Sequence, residues 1–227
     1  MKTVTYLLIM LFSLAGPLAL SFDGRVNFYK KWKFALQAGI IVAIPFVVWD
    51  SLFTKHSFWG FNSERILGIK WLDLPIEEIS FFIVIPFCCV FISELLSFFN
   101  YQFPGKFWNK LSLIIGIGLF CIGIRFFDQW YTLLSFGLGG LSIIVLFFMK
   151  AINWNRFWLL YLIHLIPFLV VNGFLTYYPV VWYNNAENLG IRIGTIPIED
   201  TSYSLIALSW NVYLYELFKR KKPSEKN

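Results

Sequence analysis

Charge is the scarcest commodity in this chain. Of its 227 residues only 14% are Asp, Glu, Lys or Arg, against 58% hydrophobic and 21% aromatic residues. So little polar surface excludes a soluble domain, which could not hide that much apolar area in its own interior. Histidine occurs twice and cysteine three times, and Cys88, Cys89 and Cys121 all fall inside apolar runs. That excludes a disulfide framework and a zinc knuckle and leaves the thiols as buried structural groups. His164 has no companion at metal-ligand spacing and His56 falls in a loop, so no metal site is expected. No Gly-x-Gly-x-x-Gly turn follows a strand, which excludes a dinucleotide-binding unit and, with it, a flavin; no cofactor is expected. Serines and cysteines have no activating base beside them, so covalent catalysis has no support. The net charge of +6 comes without a separate basic domain, and membrane topology and anionic lipid account for it better than nucleic acid.

What is abundant is apolar sequence in long runs. Runs of roughly 17 to 25 residues suffice to span hydrocarbon, and they fall near 4–20, 34–54, 75–98, 107–127, 130–149, 156–176 and 197–218. The expectation is an all-α integral membrane protein of about seven transmembrane helices. The first run also has features of a secretory signal, with Lys2, an apolar stretch and a poor cleavage site at Leu18-Ala19-Leu20. Basic residues such as Lys30, Lys31, Lys106, Lys150 and Lys219 gather at one set of alternating ends. The positive-inside rule then gives a multi-pass protein of the cell's inner (plasma) membrane, amino terminus outside and carboxyl terminus cytoplasmic.

The chain also repeats itself. A shift of 122 residues takes Trp32 to Trp154, Pro45 to Pro167, Asn62 to Asn184, Gly68 to Gly190, Pro75 to Pro197 and Glu94 to Glu216 without gaps. Asp50 meets Asn172 and Phe81 meets Tyr203 in the same register. The first apolar run falls on the fifth, which argues that it belongs to the repeat and is retained. The chain divides into a first repeat at 1–99, a linking helix within 100–128, a second repeat at 129–219 and a basic tail at 220–227. Two parallel three-helix repeats joined by one extra helix should be related by a pseudo-twofold axis along the membrane normal, so that equivalent residues lie at one depth.

Each repeat carries the same acidic motif at the start of its third helix: Pro75-Ile76-Glu77-Glu78 and Pro197-Ile198-Glu199-Asp200. A proline suits the first turn of a helix, and the free N–H groups there favour carboxylates. An acidic first turn at an interface is ordinary, but doubled acids duplicated in register are costly so near hydrocarbon. Two adjacent carboxyls in low dielectric do not both ionise freely, so one can hold a proton as a general acid while another accepts one. Glu77, Glu78, Glu199 and Asp200 are therefore the candidate acid and base groups, and an apolar substrate arriving from lipid would meet them at the hydrocarbon edge.

Two copies of Pro-x-Glu-(Glu/Asp), each opening a membrane helix of a small polytopic protein, resemble the lycopene cyclases of the heterodimeric and fused bacterial, archaeal and fungal type. The resemblance covers nearly the whole chain and is to the fused form. It implies cyclisation of the acyclic ψ-ends of lycopene to β-ionone rings without net redox change, by protonation, ring closure of the cation and deprotonation. The implied partners are lycopene or another acyclic carotenoid and membrane lipid, with no flavin; relatives acting on longer, fifty-carbon carotenoids share the motif.

Asp50 and Asn172 sit at matched depth near the outer helix ends, where they could orient the carboxylates or simply cap. Aromatic faces stabilise cations, which brings in Phe81 and Tyr203 with Trp49, Trp59, Trp71, Phe82 and Trp182, although Trp and Tyr gather at membrane interfaces anyway. Glu94 and Glu216 lie sixteen residues beyond Glu78 and Asp200, roughly 24 Å along the helix, and should pair with bases such as Lys219 or Lys106. Three other functions compete. A SWEET-like small-solute transporter shares the repeat plan and would use the matched prolines Pro45 and Pro167. A carotenoid hydratase would capture the same cation with water. A retinal protein needs a lysine in its last helix, and 197–218 contains none.

Overall fold

The computed structural model describes residues 4–220, so Lys2 and residues 221–227 of the expected basic tail lie outside the described residues. Seven α-helices make up most of it: α1 (Thr5–Leu20), α2 (Trp32–Lys55), α3 (Ile76–Phe98), α4 (Phe107–Arg125), α5 (Trp130–Phe148), α6 (Trp154–Tyr177) and α7 (Glu199–Arg220). A 3₁₀ turn at Phe28–Lys31 leads into α2, and together they form an apolar segment of 28 residues. This segment and α3, α4, α5 and α6 are the five helices long and apolar enough to cross a membrane. The chain is thus a helical membrane protein.

The two remaining helices fall short of that measure for different reasons. Helix α1 is apolar but has only 16 residues. Helix α7 is long, yet Ser202, Ser204, Ser209 and Asn211 dilute its apolar character. All four are buried, because α7 packs against α2, α3, α5 and α6 and shows little of itself to the outside. Outward faces elsewhere are greasy: Phe12, Ile44, Ile114 and Ile166 are exposed, as a surface bathed in lipid requires.

Short strands join the helix ends. β1 (Trp59–Phe61) pairs antiparallel with β4 (Val181–Tyr183), while β2 (Lys70–Trp71) with β3 (Leu74–Pro75), and β5 (Arg192–Ile193) with β6 (Ile196–Pro197), form hairpins. The β1–β4 register sets Gly60 opposite Trp182. These residues are 122 apart in sequence, so the ladder pairs a segment with its own counterpart, as a local twofold between them demands. Gly60 leaves room for the Trp182 ring, which a Cβ there would meet at 2.5 Å and have to displace. The helices follow the same relation: α2 packs on α7 as α6 packs on α3, and α1 on α3 as α5 on α7.

Pro75 and Pro197 precede their helices by one or two residues instead of occupying the first turn. Each ends a two-residue ladder, Pro75 opposite Lys70 and Pro197 opposite Arg192, and its fixed φ suits the extended chain there. The acids still open the helices. Helix α4 stands outside the repeats and lies along α5 with almost no side chain between them. A Cβ on Gly140 would reach the Gly116 carbonyl at 2.4 Å, and one on Gly123 the Gly137 nitrogen at 2.4 Å. Small residues permit this backbone approach where lipid offers no hydrophobic drive to association.

Candidate active site

The four motif acids divide into two pairs with different surroundings. Glu77 Oε1 accepts the Leu67 N–H at 2.7 Å, and Glu199 Oε1 accepts the Leu189 N–H at 2.8 Å. The same contact, 122 residues apart, fastens each preceding loop to the first turn of its helix. Asn62 and Asn184 shape those loops by accepting from the N–H of Glu64 and Ala186, and Gly68 and Gly190 adopt positive φ of 83° and 69°. Glu199 accepts in addition from the Thr132 hydroxyl at 2.8 Å. Both residues are buried, and the second oxygen of each has no hydrogen-bond partner.

Glu78 and Asp200 turn the other way, into one shared pocket of about 50 Å³. Asp50, Asn172, Phe81 and Tyr203 line the same pocket, together with Tyr6, Tyr131 and Tyr183. The twofold thus places the second acid of each motif, and the polar residue of each second helix, around a common centre. Tyr6 donates to Glu78 Oε2 at 2.6 Å and Tyr203 donates to Asp50 Oδ1 at 2.6 Å. Asp200 accepts from the hydroxyl groups of both Tyr131 and Tyr183, the latter at 2.8 Å. The carboxyl groups of Asp50 and Glu78 lie side by side in this pocket, and two carboxyls can bond to each other only when a proton is between them. Desolvation, and then the negative charge of Asp200, push the phenol of Tyr183 well above its usual range, so it remains a donor.

The pocket adjoins hydrocarbon-like space. Phe81, Phe168 and Asn172 form a common wall with a cavity of about 500 Å³ bounded by α1, α3 and α6. Its lining is almost wholly apolar, and the rim residues Phe12 and Val170 are exposed at the outer surface. From Glu78 it follows α3 as far as Ile92, fourteen residues and so roughly 21 Å. The related space on the opposite side, between α2, α5 and α7, is filled. There Trp49 replaces Val171 and Trp210 replaces Cys88; Trp49 packs edge-on against Tyr203 at 5.1 Å, and Trp210 donates to Ser142 at 3.0 Å.

Sequence comparison adds the decisive observation. The profile of the lycopene cyclase family matches residues 3–96 and again 128–218. The chain belongs to that family. Among curated proteins it is similar to the bifunctional lycopene cyclase/phytoene synthase of Neurospora crassa, 35% identical over 52 residues, which is 22% of this chain and 9% of the relative. The enzyme of the same name from Aspergillus niger is 29% identical over 66 residues, 27% of this chain and 11% of the relative. The matched stretches thus span only about a tenth of those longer proteins. No solved structure matches.

Within this lycopene cyclase family member, the remaining residues singled out from sequence sort clearly. Trp59 lines the pocket, Phe82 packs on Phe46 at 5.7 Å behind it, and Trp71 and Trp182 are exposed. Glu94, far down α3, holds Lys31 and Lys219, and Lys219 also bridges to Glu216 at 2.7 Å. It is Lys31, not Lys106, that joins Lys219 there, because the 3₁₀ turn before α2 brings it over the end of α3. His164 is buried with Nδ1 3.2 Å from the Cys89 sulfur, and no group of three metal-ligating side chains occurs among the described residues. Sequence reasoning missed Tyr6, Tyr131 and Tyr183. Their counterparts at the 122-residue shift are Asp128, Ile9 and Phe61, so a search for matched residues passes over them.

Proposed function

We propose that this protein is a carotenoid cyclase that converts the acyclic ψ-ends of lycopene to β-ionone rings, an intramolecular isomerisation with no net redox change. The observation that carries the reading is a buried carboxyl cluster at the blind end of an apolar groove that opens toward lipid. Such a groove takes a rod-like hydrocarbon and little else, and the cluster offers both a proton donor and an acceptor where its end would rest. Glu78 and Asp200 are the groups that meet substrate. Glu77 and Glu199 anchor the loops that roof the site. Phe81, Trp59 and Tyr203 present aromatic faces to a developing cation, and Asn172 marks the junction of pocket and groove.

One pocket built by both repeats implies one reacting end at a time, with the rest of the polyene lying in the groove and the bilayer. Seven spans, two repeats about an axis normal to the membrane, an outer amino terminus and placement in the plasma membrane complete the picture. The apolar lining speaks against a SWEET-like path for a polar solute, although α2 and α6 do run through the matched Pro45 and Pro167. A hydratase would need water beside the cation, and a fifty-carbon substrate would need only a longer stretch outside the groove.

Expression in a lycopene-accumulating bacterium, followed by pigment chromatography, tests the reading. Products carrying one or two β-rings are the expected result. Unchanged lycopene beside correctly inserted protein would overturn it.

A further inference from the structure

The two halves of the pocket differ in one respect that the matched motifs conceal. Asp50 of α2 faces Glu78 in the same pocket, within hydrogen-bonding reach, a contact that two carboxyl groups make only with a proton between them. In the second repeat the position of Asp50 is taken by Asn172, whose amide is engaged with the Phe168 carbonyl at 3.1 Å. Asp200 thus lacks the second-helix carboxyl that Glu78 has, and its two oxygens accept from the phenols of Tyr131 and Tyr183. Tyr6 from α1 and Tyr203 from α7 both donate to the Asp50–Glu78 pair, which Asp200 and Glu77 also face. One side of the pocket thus brings two acids together, able to hold a proton between them, and the other sets a single acid between two phenol donors.

We infer that Asp50 and Glu78 act together as the acid of the cyclisation and that Asp200 is its base. The inference rests on the cyclase reading and divides its labour. The shared proton goes to the inner CH carbon of the terminal double bond, whose electron pair forms the new C–H bond and leaves a tertiary cation on the outer, dimethyl carbon. The electron pair of the next double bond along the chain closes the ring and moves the positive charge to a ring carbon. Asp200 takes a proton from the neighbouring ring carbon, and that C–H pair becomes the ring double bond. Nothing is oxidised or reduced. The proton gained by Asp200 returns to the Asp50–Glu78 pair before the next turnover. Asp50 is a catalytic residue on this reading even though no acidic motif contains it.

The test uses the full chain in membranes supplied with lycopene in deuterated water, comparing wild type with Asp50→Asn, Glu78→Gln and Asp200→Asn. Asparagine at 50 keeps the shape and still accepts from Tyr203, so only the stored proton is lost. Asp50→Asn and Glu78→Gln are each expected to lower kcat by about 100-fold or more with KM within a few-fold. Asp50→Glu, which restores a carboxyl, should recover part of that loss, as repair of packing alone would not. Asp200→Asn should still consume lycopene, more slowly, and discharge the cation elsewhere, giving ring double-bond isomers or an alcohol from water. Wild-type product should carry solvent deuterium at the carbon first protonated. Wild-type turnover by Asp50→Asn would overturn the inference and leave the cyclase intact. So would displaced double bonds from Asp50→Asn together with untouched lycopene from Asp200→Asn. If Asp50→Asn fails to elute as folded protein, Tyr203→Phe takes its place, since it removes only the O–H donated to Asp50. A roughly 10-fold fall in kcat supports the proposal, and an unchanged kcat overturns it. A wild type that leaves lycopene untouched defeats the parent reading and this one with it.

Discussion

The first repeat and the second share a scaffold and differ at the pocket they jointly line. Where they agree, in the carboxylate that grips the loop ten residues back and the asparagine turn before it, the contacts are the same atom for atom. Where they differ, the difference falls on the pocket. Asp50 faces Asn172, Phe81 faces Tyr203, and a groove on one side of the molecule is answered by Trp49 and Trp210 on the other. A duplicated unit can keep its fold through backbone-directed contacts while freeing side chains at the shared centre to take separate roles. Matched position alone does not separate the two kinds of residue, since Glu77 and Glu199 hold loops while the equally matched Glu78 and Asp200 face the pocket.

The sharpest way to break that comparison is to exchange the two acids within one motif. Glu78→Gln is expected to reduce ring formation at least about 100-fold. Glu77→Gln, whose amide oxygen can still accept the Leu67 N–H, should cost only a few-fold. Equal losses at 77 and 78, measured by pigment chromatography, would put both residues in the chemistry. Next comes the scaffold itself: Glu77→Ala and Glu199→Ala each remove a carboxylate that accepts a backbone N–H and should each lower stability by about 1–3 kcal/mol, visible as matched falls in the melting point of the solubilised protein. A large effect at one site only would show that the repeats use these anchors differently.

The groove offers a third comparison. Gly16 lines the open side with nothing within 4 Å of an added Cβ, and its counterpart Leu138 lies on the filled side. Gly16→Phe should raise KM for lycopene several-fold at nearly unchanged stability, and Leu138→Phe should do neither. A KM unaffected by Gly16→Phe would mean that substrate enters by another route. The smallest effect is expected at Gly60→Ala, where the Trp182 ring is the obstacle. The ring is a side chain able to shift, so a loss at the low end of the roughly 1–3 kcal/mol typical of overpacking is expected. Loss of the folded protein would show that the β1–β4 ladder holds the repeats together.

Much of the helical layout was legible because hydrocarbon-length apolar runs punctuated by Pro, Trp and charge leave few alternatives. The run near 34–54 became Trp32–Lys55, that near 107–127 became Phe107–Arg125, and that near 156–176 became Trp154–Tyr177. The bonding of Glu94 and Glu216 to Lys219 was likewise readable, since helical rise alone carries them away from the motifs. Which acid of each motif meets the pocket was not, because adjacent residues on a helix differ by about 100° and sequence does not say which direction is inward. The same holds for the tyrosines, which arrive from α1, α5 and β4 through packing between distant segments.

The chain by itself determined a membrane protein of duplicated helices with twinned acids at two helix starts, because composition, hydrophobic run length and a gapless 122-residue repeat are properties of sequence order. Only the tertiary structure decided that Glu78 and Asp200 meet in one pocket, that Asp50 joins Glu78 there, and that the side bounded by α1, α3 and α6 stays open. Those are outcomes of how helices pack around a twofold and of which side chains fill the space between them, and a bulky Trp49 or a small Val171 has that meaning only when its neighbours are in place.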